Sequence, residues 1–210
     1  MSLFLQHTEQ SYKWGVWKMD ETLDELLDML PRQDTYRQAM QRFSAEHRRL
    51  EWLSVRVLLF TLLGEEKEIA YHSSGKPYLA DDSASVSISH TRGYVSVIIG
   101  ETGKEVGIDI EQYGERVHRV AHKYMRADEK VSSYQGTDTW ALLLYWSAKE
   151  VMFKCMNMAE VDFREHLHIF PFTVSERGDF LAEEYRTQEQ RKFHIHYILH
   201  QDFVLTWQAD

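Results

Sequence analysis

The sequence predicts an α+β protein, with strands and helices interleaved in both halves and no regular strand–helix alternation of the parallel-sheet kind. Two periodicities carry that reading. Short runs rich in β-branched and aromatic residues alternate apolar and polar positions, as strands do. Longer runs repeat apolar residues every three to four positions, as helices do. A third observation is the amount of apolar material: 43% hydrophobic residues in a chain of 210 is enough for a packed core. No low-complexity linker and no internal repeat interrupts the pattern.

In chain order, residues 12–19 read as a strand, with Trp14, Val16 and Met19 among its apolar positions. A short amphipathic helix begins at Asp20 or Thr22, where Thr22 and Glu25 have capping-box spacing, and Pro31 punctuates it. Helical periodicity resumes near Thr35, restarts at Ser44 as an N-cap and stops at Gly64. Residues 73–79 form a tight turn around Gly75 and Pro77. Residues 86–90 and 94–100 alternate as two strands joined by Thr91, Arg92 and Gly93. Residues 106–111 form a further strand, and 115–126 are helical in period, with Val117, Val120, Ala121 and Tyr124 inward. A long helix runs from about Thr137. Four strands follow at 166–172, 179–185, 192–200 and 203–208.

Composition narrows the function. A net charge of −9 argues against a general nucleic-acid binder. The single cysteine, Cys155, rules out an internal disulfide framework and fits a reducing compartment. No apolar run is long enough to span a bilayer, and no basic-then-apolar signal opens the chain. A soluble cytoplasmic monomer with no membrane partner is the expectation.

The chemistry gathers around Val106-Gly107-Ile108-Asp109-Ile110-Glu111. Residues two apart on a strand share a face, so Asp109 and Glu111 project together while Ile108 and Ile110 pack the other way. Two carboxylates so close are either solvated at a strand edge or the beginnings of a hard-cation site, because Mg²⁺ takes carboxylate oxygens. A third acid, Glu150, lies on the long helix one turn before Lys154. Elsewhere, Arg116, Arg119, Lys123 and Arg126 recur every three or four residues, a basic stripe on an acidic protein. It is either a solvated helix face or a docking surface for an acidic partner. His166 and His168, and likewise His194 and His196, fall on single strand faces. Such pairs can bind zinc, but with no cysteine or suitably spaced third ligand they read as exposed sheet positions.

Gly107-Ile108-Asp109-Ile110-Glu111, taken with Trp146-Ser147-Ala148-Lys149-Glu150 and Lys154, resembles the 4′-phosphopantetheinyl transferases, specifically their larger single-chain Sfp-like branch. Gly75-Lys76-Pro77 and Ser87-Ile88-Ser89-His90 stand upstream in the family's order, so the resemblance covers roughly residues 43 to 155. Val151 departs from it, where the family usually has Ser or Ala. The resemblance implies two similar α/β halves, 1–103 for nucleotide grip and 104–210 for the metal and carrier docking. They would pack as an intramolecular pseudo-dimer with the active site in the cleft between them.

It further implies transfer of the 4′-phosphopantetheine arm of coenzyme A to a serine of an acyl or peptidyl carrier protein, releasing adenosine 3′,5′-bisphosphate. Asp109, Glu111 and Glu150 would hold Mg²⁺. Glu150, or a water beside it on the metal, would be the base, and Lys154 would stabilise the departing phosphate. Lys149 would support the site. Arg48 would grip the nucleotide 3′-phosphate at the start of its helix, with Arg32 a weaker candidate and Arg56 sharing the Arg48 face. His90, Ser89 and Thr91 would orient the nucleotide, and the turn of Ser74, Gly75, Lys76 and Pro77 would border adenine and ribose. The carrier, being acidic in this chemistry, would meet the basic stripe. Two rivals remain: another Mg²⁺-dependent phosphoryl-transfer enzyme on the same acids, and a catalytically silent carrier-binding protein, whose expected sign is a broken acid triad.

Overall fold

The alternating runs form antiparallel sheets, and the two longest helical runs each lie on one sheet face. The computed structural model describes residues 2–156, 158 and 160–209. The chain divides into two compact units, Met1–Glu105 and Val106–Asp210.

In the first unit, β1 (Leu3–Thr8), β2 (Tyr12–Lys18), β5 (Ser85–Thr91) and β6 (Tyr94–Gly100) form a sheet of order β1-β2-β6-β5. A two-stranded ribbon joins β3 (Ile69–Tyr71) to β4 (Pro77–Leu79). Helix α1 (Leu23–Asp28) opens with the expected capping box, Thr22 accepting from Glu25 N–H and Glu25 from Thr22 N–H. Helix α2 (Gln33–Ala39) ends in a 3₁₀ turn, Met40–Arg42. The long helix α3 (Glu46–Leu63) starts one residue later than Ser44 would set it. Its N-cap is Ala45, which makes no side-chain cap. It stops at Gly64, whose φ of 76° is the left-handed conformation a glycine adopts without strain. Leu53, Val57, Leu58 and Leu59 of α3 join Trp17, Val95 and Val97 of the sheet in the core.

In the second unit, β7 (Val106–Gln112), β8 (Leu167–Ile169), β9 (Arg177–Glu184), β10 (Lys192–His200) and β11 (Phe203–Ala209) make a sheet of order β7-β11-β10-β9-β8. Helices α4 (Arg116–Val120), α5 (Thr139–Met156) and α6 (Phe163–His166) complete the unit. Helix α5 is buried along Leu143, Leu144, Ala148, Val151 and Met152, and packs on Ile195 and Tyr197. The expected helix over 115–126 is shorter: α4 ends at Val120, and a 3₁₀ turn, Ala121–Lys123, follows. The expected strand over 166–172 is also shorter. His166 ends α6, so it does not share a strand face with His168.

The two units have one feature of their wiring in common. In each, an early strand lies beside the last strand, β2 on β6 and β7 on β11, and an 18-residue helix comes between them in sequence. In each, the early strand carries a glycine where the helix crosses. A Cβ on Gly15 would come within 2.9 Å of Leu58, and one on Gly107 within 2.8 Å of Cys155 Sγ and 2.9 Å of the Val151 carbonyl. Two and four residues after Gly15 stand Trp17 and Met19; after Gly107 the same steps give Asp109 and Glu111. The close helix crossing is therefore common to both units, and the acids belong to the second alone.

Candidate functional site

Since Gly107 faces α5, period-two alternation turns Asp109 and Glu111 toward the same helix. Ile108 and Ile110 point the other way and are buried. Asp109 is 3% exposed, an unusual position for a carboxylate, and its partners explain it. Lys154 Nζ lies 2.8 Å from Oδ1, and the same ammonium donates to the Ile108 carbonyl at 2.8 Å. Ser147 donates to Oδ2 at 2.8 Å, and its oxygen lies 2.7 Å from Thr206 Oγ1. With the Ser147 proton on Asp109, the Thr206 hydroxyl donates to Ser147, making a relay of Thr206, Ser147 and Asp109. Thr206 sits directly across the sheet from Asp109, a cross-strand pairing.

The two glutamates are held differently. Glu111 accepts from Trp146 Nε1 at 2.7 Å. Burial, then the Asp109 charge, pushes its carboxyl up to about 7, with the Trp146 hydrogen bond opposing. Burial and the Asp109 charge likewise push Glu150 up to about 7, against the pull of Lys154. Among the described residues nothing donates a hydrogen bond to the Glu150 carboxylate.

Three acids thus meet one face of α5 and β7, where Lys154 is the ammonium that balances them. This arrangement fits a hard divalent cation: the half-buried carboxylates are driven toward protonation for want of positive charge, and Glu150 lacks a donor among the described residues. The three are not closed on a common point, however. The cluster whose ligand atoms all lie within 4.8 Å of one another is Asp179, His194 and His196.

Lys149, next to Glu150, turns the other way into the core. Its ammonium is fully buried and donates to Glu129 at 2.9 Å, the Tyr124 carbonyl at 2.7 Å and the Phe163 carbonyl at 3.1 Å. Glu129 in turn accepts from the N–H groups of Arg126 and Ile169 at 2.8 Å each. This pair ties the segment from Tyr124 to Glu129, the start of α6 and β8 to α5, the helix that carries Glu150 and Lys154.

Within the first unit, a cavity of about 380 Å³ gathers much of the expected nucleotide grip. Arg48, Arg56, Gly75, Pro77 and His90 line it, together with Arg42, Glu51 and Trp52. Arg48 Nη1 donates to Glu51 at 2.7 Å and lies 3.4 Å from His90 Nε2. The Arg56 guanidinium stacks 3.5 Å from the Trp52 ring centre, donates to the Trp52 carbonyl, and is pulled down to about 10 by burial. Arg42 lies 5.3 Å from the same ring. Trp52 Nε1 is buried without a hydrogen-bond partner among the described residues. Three guanidiniums, one imidazole and a single carboxylate around a stacking ring make a pocket for an anion carrying an aromatic group.

Other expected members lie outside this cavity. Ser89 and Thr91, one residue either side of His90, point to the opposite strand face, Ser89 being buried. Ser74 and Lys76 are held in the turn, with Lys76 N–H toward Ser74 Oγ at 3.5 Å. Arg32 is paired with Glu66 at 2.6 Å. Of the basic stripe, Arg116, Arg119 and Lys123 are exposed. Arg126 has left it, bonding Asp128 and the carbonyls of Arg164 and Glu165.

Residues 105–208, nearly the whole second unit, match the family model of the 4′-phosphopantetheinyl transferase superfamily. The acid face of β7 and α5 lies inside the matched span. Comparison with curated proteins gave no match. No helix among the described residues is long and apolar enough to cross a membrane.

Proposed function

We propose that the protein transfers the 4′-phosphopantetheine arm of coenzyme A to the serine hydroxyl of an acyl or peptidyl carrier protein. The observation that carries this reading is the placement of Asp109, Glu111, Glu150 and Lys154 on one face inside the matched span. The serine oxygen would bond to the phosphorus bearing the pantetheine arm. The bond from that phosphorus to the bridging pyrophosphate oxygen would break, and adenosine 3′,5′-bisphosphate would leave.

Glu150 would take the serine proton. Its carboxylate, with no hydrogen-bond donor among the described residues, has a lone pair for that proton. Lys154 uses two of its three N–H bonds on Asp109 and Ile108, which leaves one for an oxygen of the leaving phosphate. The Thr206–Ser147 relay fixes Asp109, and Trp146 fixes Glu111. Mg²⁺ held by Asp109, Glu111 and Glu150 would supply charge neutralisation on the pyrophosphate.

The proposal requires the pocket of the first unit and the acids of the second to serve one coenzyme A molecule. Arg48, Arg42 and His90 would bind the nucleotide phosphates, and Trp52 with the Gly75–Pro77 turn would border its base and sugar. Arg116, Arg119 and Lys123 offer an acidic carrier a local positive patch on a chain of net charge −9. A product assay tests the reading: coenzyme A, Mg²⁺ and an apo carrier should yield adenosine 3′,5′-bisphosphate. Hydrolysis of coenzyme A that runs equally well without the carrier would point instead to another phosphoryl-transfer enzyme.

A further inference from the structure

On the sheet face opposite the acids, the second unit brings together two histidines and an aspartate from adjacent strands. His194 and His196 lie two apart on β10, so both project from one face. Phe193, Ile195 and Tyr197 between and beside them fill the core under α5. Across the ladder, Asp179 of β9 is the register partner of His196, while its carboxylate leans diagonally to His194, with Oδ2 2.7 Å from Nε2. The imidazole centres are 4.5 Å apart, and one ligand atom from each of the three residues falls within 4.8 Å of the others. A third strand buttresses the group: the His196 ring stacks on Trp207 of β11 at 5.6 Å and 21°.

We propose that Asp179, His194 and His196 form a peripheral binding site for one divalent transition-metal ion of the Zn²⁺ class. The donor set selects this class. Two imidazoles suit Zn²⁺, Co²⁺ or Ni²⁺ and disfavour Mg²⁺ and Ca²⁺, which seek oxygen. Zinc bonds of about 2.0–2.1 Å in a tetrahedron place donors roughly 3.3–3.5 Å apart. The donor atoms, all within 4.8 Å of one another, stand close to that spacing. Asp179 and His194 are exposed, so positions beyond the three protein ligands stay open to solvent or an incoming donor. Such an ion would clip β9 to β10.

A hydrogen-bonded surface pair of His194 with Asp179 is the alternative, and it holds the Asp179 carboxyl below its usual range.

The test is equilibrium dialysis and thermal melting of the full chain with Zn²⁺ and with Co²⁺. It is run in the Asp109→Asn/Glu150→Gln background so that the acid face does not compete. The site predicts one ion per chain, with a melting temperature raised by roughly 5–10 °C at a hundredfold excess over Kd. His194→Gln and His196→Gln should each weaken binding at least tenfold, since even the outer partners of metal ligands are worth about ten- to a hundredfold. These side chains lie outside the core, so circular dichroism should match the parent. Unchanged stoichiometry and affinity in the His194→Gln/His196→Gln variant, or no ion bound by the parent, would overturn the site and leave only the surface pair.

Discussion

Replacing Glu150 by glutamine should stabilise the metal-free protein, by a gain that grows as pH rises from about 4.5 to about 7 and is full above that. Folding raises this carboxyl from 4.5 to about 7, chiefly through burial and secondly through Asp109. The folded state therefore holds its proton more tightly than the unfolded chain does, and wild-type stability falls as pH rises from about 4.5 through about 7. A rise of that size corresponds to at most about 3.5 kcal/mol at about 1.4 kcal/mol per unit. Residual solvent and the coupling to Glu111 reduce it, so we expect about 1–2.5 kcal/mol at pH 8. For a chain of this length that is roughly 3–8 °C in melting temperature. The assay is calorimetry or dye-monitored melting in chelator at pH 5 and pH 8. The amide of Glu150→Gln cannot ionise, so the gain should be full at pH 8 and only a small part of that at pH 5. Saturating Mg²⁺ should raise the wild-type melting temperature more than that of the variant. An equal gain at both pH values, or none at pH 8, would refute the account of strained, cation-seeking carboxylates.

Three further outcomes follow from named contacts. Lys149→Met strands the Glu129 carboxylate in the core and should destabilise by about 3–5 kcal/mol in denaturant titration; loss of activity without loss of stability would make Lys149 a chemical rather than a supporting residue. Arg48→Ala should weaken coenzyme A about ten- to a hundredfold by calorimetry while leaving 3′-dephospho-coenzyme A nearly unaffected; unchanged discrimination would reduce Arg48 to the ion pair it makes with Glu51. Arg119→Glu with Lys123→Glu should raise the carrier KM several-fold at low salt, with coenzyme A unaffected and the effect shrinking as salt screens it. A carrier KM equal to wild type at low salt would place docking elsewhere.

Part of the acid face was legible from local rules, while the meeting of its strand acids with Glu150 was expected from the family resemblance and not from spacing. Strand alternation put Asp109 and Glu111 together, and helix spacing put Glu150 and Lys154 on one face. The capping box at Thr22 and the stop at Gly64 are local as well. What escaped was long-range. Nothing near Lys149 in sequence announces Glu129, twenty residues upstream, because that pairing depends on where the chain turns after Val120. The same turn ended the helix early: Tyr124 must be buried and its carbonyl must reach Lys149. Thr206 and Asp179 were invisible for a related reason. Each acts through a cross-strand register with a partner chosen by the sheet, and single-strand alternation gives faces but no partners. Arg42 joined the pocket through a 3₁₀ turn that has no strong sequence signal. Ser89 shows the converse error, since its nearness to His90 in sequence puts it on the opposite face.

The measurement that bears most directly on the proposed activity is intact-mass spectrometry of apo carrier proteins incubated with coenzyme A, Mg²⁺ and this protein, in wild-type and Asp109→Ala form. The account predicts that a carrier serine gains the phosphopantetheine mass with wild type, and that Asp109→Ala, still folded by circular dichroism, leaves the carrier unmodified. Modification at the wild-type rate by Asp109→Ala would contradict it, as would a carrier panel left wholly unmodified by the wild-type protein.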